Sequence, residues 1–207
     1  MKASLVKKIL FGLLAVGGLI YLGLRVEASR PSDKFATPGF KGPDFSFQDR
    51  NGKFVSASDL KGKVWVVDFI FSRCAGSCPM LTHQLKTLQD IWSGNGDLKL
   101  VTFTVDPEHD TVEVLKKYAE EFKADPNQWF FLTGVKKDLY KVYSEGFKIT
   151  AQDDPEGGEG FQFIHSTRVL LMDGNGMIRG LYDGQDDEEM AKLQRDVRYL
   201  MSSRNHL

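Results

Sequence analysis

The only two cysteines of this 207-residue chain, Cys74 and Cys78, stand four positions apart, between a β-branched and aromatic run and a proline. Where such a segment coils, four positions are about one helical turn, so the two sulfurs share a face. Two thiols that meet can close a disulfide or chelate one soft metal ion. A purely structural disulfide is the bland alternative, but a loop that small would restrict the unfolded chain little. Pro79 suits the first turn of a helix, where its missing N–H costs nothing. The unpaired amides and the helix dipole at such an end favour thiolate over thiol. A disulfide scaffold would be much denser in cysteine, so the pair marks a local site. Taken alone, it does not separate redox work from metal work.

His165 is the third residue of interest. It lies just before a strand at residues 167–172 that the element order places beside the central strand, so its loop approaches the cysteines from the sheet's carboxyl edge. Two thiolates and an imidazole suit copper in either common oxidation state. Zinc accepts the same ligands but wants a fourth. Two features favour metal binding over general disulfide exchange. Three residues separate the cysteines instead of the two of the common redox motif. Thioredoxin-type oxidoreductases also place a cis-proline opposite their cysteines, and residues 161–167 contain no proline.

Asp106, at the carboxyl end of another strand, has the place of a group that orients a ligand or touches a partner; capping the turn before Pro107 is the plainer role. His83, five positions after Cys78, points to another face. His109 and His206 read as solvated. Met80 reads as core, with a soft contact to a metal as the alternative. Trp129, Phe130 and Phe131 also read as core. No second general-base constellation accompanies either cysteine, which counts against a peroxidase.

The elements that must position these residues follow in order. Residues 45–55 alternate around Asn51-Gly52, a strong hairpin signal. Residues 64–70 read as a strand buried on both faces. Leu81, Leu85, Leu88 and Trp92 then recur at helical spacing until Gly94-Asn95-Gly96. A strand at 98–105 stops at Asp106-Pro107, and Thr111 opens a helix through Phe122. A short strand (129–132), a short helix (135–143), a hairpin (167–182) and a closing helix (186–201) complete the domain. Residues 151–160, acidic and glycine-rich, read as a mobile surface loop. Parallel β-α-β units followed by an antiparallel hairpin and a helix give an α/β, thioredoxin-like mixed sheet flanked by helices, with an N-terminal β-hairpin. Ligand groups then gather at the carboxyl ends of the central strands.

The formal net charge of −1 carries no nucleic-acid footprint. Residues 9–24 are uncharged and mostly apolar, behind Lys2, Lys7 and Lys8. That length lies between a secretory core and a full span, and Arg25 snorkelling would extend it. We read residues 1–8 as a cytoplasmic N-terminus, 9–26 as a transmembrane anchor, 27–39 as a linker and 40–207 as the domain. Cleavage after Ala28 is the alternative. In either case the basic end stays inside and the domain is exported, facing the periplasm from the inner membrane.

Three segments together resemble the Sco/SenC (PrrC) family of copper-delivery proteins for cytochrome c oxidase. They are Phe69-Ile70-Phe71-Ser72-Arg73-Cys74-Ala75-Gly76-Ser77-Cys78-Pro79-Met80, then Thr102-Phe103-Thr104-Val105-Asp106-Pro107-Glu108-His109-Asp110-Thr111, and His165-Ser166-Thr167 followed by residues 171–176. The resemblance covers about residues 40–200 and the anchor. It implies copper held by Cys74, Cys78 and His165, and delivery to, or thiol reduction at, the CuA centre of oxidase subunit II. Another copper chaperone or a thioredoxin-like reductant would be a further partner. The family usually has Arg at the place of His109, and often Thr or Tyr at Ala75 and Gly76; neither departure touches a ligand. The alternatives are a thiol–disulfide reductase acting through Cys74 and Cys78, or a redox or copper sensor.

Overall fold

Alternation on either side of Asn51-Gly52 folds into a hairpin in which β1 (Ser46–Asp49) pairs antiparallel with β2 (Phe54–Ser56). The turn is held by Asp49, whose Oδ1 accepts the amides of Asn51 (2.9 Å) and Lys53 (3.0 Å). Gly52 supplies the positive φ of 74° that the turn requires. The computed structural model describes residues 40–149 and 167–203. These belong to one unit, Lys34–Leu207.

A short 3-10 turn (Ala57–Leu60) leads into β3 (Val64–Ile70), all seven residues of which are buried. Helix α1 (Ser77–Ile91) follows, then β4 (Leu98–Thr104), α2 (Val112–Glu121), β5 (Trp129–Thr133) and α3 (Lys136–Lys141). Strands β6 (Arg168–Met172) and β7 (Ile178–Asp183) form the second hairpin, and α4 (Asp187–Ser203) closes the described chain. The helix expected over residues 135–143 is shorter and runs into a π-type turn, Val142–Gly146. There the Phe147 amide reaches back to the Val142 carbonyl (2.9 Å), and both Tyr143 and Phe147 enter the core.

The strand order is β2-β1-β5-β4-β3-β6-β7, with β3, β4 and β5 mutually parallel and the flanking pairs antiparallel. This is the thioredoxin-like mixed α/β fold expected from the element order. Val64, Val66 and Ile70 pack with α1, α2 and α4 on one face. Trp65, Val67 and Phe69 pack on the other with Phe45, Phe103, Tyr143 and Phe147. A parallel strand covered on both sides must be apolar along its length, which is why β3 was recognisable. Among the described residues no helix is long and apolar enough to cross a membrane. The expected anchor at residues 9–26 and the loop at 151–160 lie outside those residues.

One residue breaks the pattern of β3. Asp68 is fully buried on the helix-covered face. Its Oδ1 accepts the Thr102 hydroxyl at 2.5 Å, while Oδ2 has no hydrogen-bond partner among the described residues. Burial raises its carboxyl from 3.8 to about 7, against the opposing pull of the Thr102 hydrogen bond. Between those two values the folded chain keeps a proton that the unfolded chain has released, so stability falls as pH rises across the window. The loss is on the order of a few kcal/mol in full. We expect Asp68→Asn to flatten the dependence of the urea midpoint on pH between about 4 and 7. An unchanged slope in the variant would assign the dependence to other groups.

Candidate functional site

Both cysteines sit where β3 ends and α1 begins. Gly76 caps the helix, so Cys78 falls in the first turn and Cys74 just ahead of it. The Cys74 amide donates to the Phe71 carbonyl (3.1 Å), folding the loop back over the strand end. The Cys78 amide points at Cys74 Sγ (3.5 Å), and Ser77 Oγ lies 4.0 Å from the same sulfur. Both are free thiols.

Their environments differ. Cys74 is half-buried and Cys78 is buried. Partial burial alone would raise the Cys74 thiol. Hydrogen bonds from the backbone of Cys78 and Gly76, and from the side chains of Cys78 and Ser77, together hold it below its ordinary value. Burial pushes the Cys78 thiol up to about 12; a backbone hydrogen bond at Phe71 opposes this, while Cys74 and Asp68 add to it. Beneath Cys78 lies a polar floor. Thr82 Oγ1 donates to the Cys78 carbonyl (2.9 Å) and is 2.8 Å from the Tyr118 hydroxyl.

The β4–α2 turn forms the neighbouring wall. Asp106 is nearly buried and its Oδ2 accepts Arg73 Nη2 at 2.5 Å. It therefore reaches the residue before Cys74 and not a sulfur, and its carbonyl accepts the amides of His109 and Asp110 as the turn closes. Of the two roles weighed from sequence, the closing of the turn is seen, and the carboxylate is engaged by Arg73. His109, read as solvated, is only half exposed and lies 2.9 Å from Asp110 Oδ1 and 3.3 Å from Ser72 Oγ through its Nδ1. The Asp110 carboxyl, fully buried, was missed altogether. Nothing in a linear reading pairs it with Ser72, although both belong to segments already singled out. Met80, read as core, is instead 43% exposed beside the cysteines. His83, exposed, lies against Phe122 with ring centroids 5.0 Å apart.

His165 lies outside the described residues, as does His206. The described chain resumes at Thr167. In the antiparallel register Leu170 stands opposite Val67, so β6 begins at the carboxyl end of β3. There the Gly184 amide donates to the Thr167 carbonyl (2.7 Å). A Cβ on Gly184 would fall 2.1 Å from a Leu81 methyl, so the turn after β7 lies directly on the start of α1. Among the described residues no group of three or more His, Cys, Asp or Glu side chains is placed to hold a metal ion.

The SCO1/SenC family model matches residues 35–202. The chain belongs to the SCO1/SenC family. A SCO1 protein homolog of Bacillus subtilis is 34% identical over 156 residues, 74% of this chain and 79% of its own. The structure of BsSco has 31% identity and a TM-score of 0.68, over 80% of this chain and 96% of that one. It is described as a member of the Sco family of cytochrome c oxidase assembly proteins in which a disulfide switch is identified. Bradyrhizobium japonicum ScoI with copper bound shows 25% identity and a TM-score of 0.64, over 77% and 99%. In this SCO1/SenC chain the two thiols should react unequally. At about pH 8, iodoacetamide is expected to label Cys74 at least tenfold faster than Cys78, read by mass spectrometry of Cys78→Ser and Cys74→Ser. Equal rates would contradict the assigned environments.

Proposed function

We propose that this chain binds one copper ion through Cys74, Cys78 and His165 and delivers it to the CuA centre of cytochrome c oxidase subunit II. The observation that carries the reading is the paired thiols at one helix N-terminus, with the Cys78 amide 3.5 Å from Cys74 Sγ. Two soft sulfurs held one helical turn apart suit copper, and a histidine supplies the borderline nitrogen donor. Family membership and the copper-bound ScoI relative support it. Cys74, the accessible sulfur, meets the incoming ion first. Cys78, buried, gives up its proton as the site closes, so loading releases protons. Oxidation of the pair to a disulfide removes both sulfur donors, which ties loading to redox state.

In the same proposal, residues 9–26 anchor the chain in the inner membrane with the domain, from residue 40 onward, facing the periplasm. Residues 27–39 act as the linker. A second copper chaperone would load the site, or a thioredoxin-like reductant would reduce it. Asp106 acts on the site through Arg73.

A second reading rests on the asymmetry of the thiols. A lowered, accessible Cys74 beside a raised, buried Cys78 is also the arrangement of an attacking and a resolving cysteine. That would make the chain a reductase for the oxidase's copper-site cysteines. Copper stoichiometry and absorption of the reduced chain, beside Cys74→Ser, Cys78→Ser and His165→Ala, separate the two. One copper per chain, with a sulfur-to-copper charge-transfer band lost in each variant, is the expected result. No copper above background, with disulfide exchange intact in His165→Ala, would overturn delivery in favour of the reductase.

A further inference from the structure

Ser72 and Asp110 join the cysteine loop to the β4–α2 turn more deeply than Arg73 and Asp106 do. The Asp110 carboxyl has no solvent exposure. Its Oδ2 accepts the Ser72 amide (3.0 Å) and the Thr104 hydroxyl (2.5 Å). Its Oδ1 accepts the Ser72 hydroxyl and is 2.9 Å from His109 Nδ1. Ser72 is thus fastened by both its backbone and its side chain, two residues ahead of Cys74. Thr104 is fixed in turn, since its Oγ1 accepts the Asp106 amide (3.0 Å) and its carbonyl accepts the Tyr143 hydroxyl. The anchor therefore stands on the sheet itself.

We propose that Asp110 and Ser72 form a positioning clamp that sets how readily Cys74 and Cys78 close on one another. The inference rests on the reading of this pair as a reversible dithiol. Neither clamp residue needs to touch a sulfur. Holding Ser72 restricts the loop to conformations in which Cys74 Sγ stays over the α1 N-terminus, next to the Cys78 amide. Closure is then largely prepaid in entropy. Released, the loop spends part of its time with the sulfurs apart, and the equilibrium for closure falls.

Closure can be read against oxidised dithiothreitol. The Cys74 sulfur attacks one sulfur of the reagent's disulfide and displaces the other. The Cys78 sulfur then attacks Cys74 in the mixed disulfide and releases reduced dithiothreitol. Two electrons and two protons pass from the cysteine pair to the reagent.

The test titrates the purified full chain, Ser72→Ala, Ser72→Thr and Asp110→Asn across ratios of oxidised to reduced dithiothreitol, with urea midpoints in parallel. Ser72→Ala and Asp110→Asn are expected to lower the equilibrium constant for closure three- to tenfold, tenfold being about 30 mV toward a less stable disulfide. Ser72→Thr, which keeps the hydroxyl, should retain the parent value. Alkylation of Cys74 at about pH 7 should slow in Ser72→Ala, because the sulfur leaves its amide donors. Should Asp110→Asn fail to fold, Ser72→Ala decides, since that side chain is only half-buried. A parent potential and alkylation rate in Ser72→Ala, with only its urea midpoint shifted, would overturn the clamp. A parent chain that closes at no ratio would overturn the dithiol reading and the clamp with it.

Discussion

A strand buried on both faces sets the terms for this molecule. β3 runs between β4 and β6 with side chains packed above and below. Polar groups along such a strand are costly unless hydrogen-bonded, and charges more so. Reactive groups are therefore driven to its end, where the sheet stops and a helix begins. At that end the physics reverses. The first amides of α1 have no partner within the helix, and a sulfur can take them. The Cys78 amide directed at Cys74 is this exchange made specific. One short junction thus holds a thiol below its ordinary value and, four residues later and deeper, another well above it.

Asp68 is the exception within the strand, and its cost shows in its protonation. Half satisfied by Thr102, it keeps its proton to higher pH than an exposed carboxyl would. Thr102 is itself engaged by the Trp129 indole at 2.8 Å, so the group sits in a short polar chain crossing β3, β4 and β5. An isosteric apolar residue would pack there without this penalty. The carboxyl also adds to the raised value of Cys78, which links this internal group to the thiol site electrostatically.

How much of this was legible depended on whether the signal was local. The element order, the hairpins at Asn51-Gly52 and Gly174-Asn175-Gly176, and the doubly buried β3 follow from periodicity and turn chemistry, and all appear in the fold. The cysteine pair announced itself by composition and by Pro79. What escaped was non-local. Ser72 and Asp110 are 38 positions apart and meet only because β3 and β4 are parallel neighbours. His109 seemed solvated because its acceptor, Asp110, is a residue whose burial no window of sequence reveals. Met80 seemed core because methionine in an apolar helix usually is. Here it falls on the outer side of the first turn, with Leu81 taking the inner place.

The two links between the cysteine loop and the β4–α2 turn are not equivalent. Arg73 is half exposed, so its pair with Asp106 competes with water and with the entropy of a long side chain. Pairs of that kind contribute roughly 0–1 kcal/mol. Asp110 is out of water entirely, and of the donors it gathers Thr104 is buried as well, while Ser72 and His109 are partly exposed. Losing one such acceptor costs about 1–3 kcal/mol per stranded group. The hierarchy has a mechanical meaning. Arg73 can release and re-form its pair as a partner approaches, letting the outer rim of the loop adapt. Ser72 cannot leave without taking two hydrogen bonds from the buried carboxyl beneath it. On the proposed reading, in which the site accepts and hands over copper, this division gives the loop a fixed root and leaves a yielding rim around the accessible thiol.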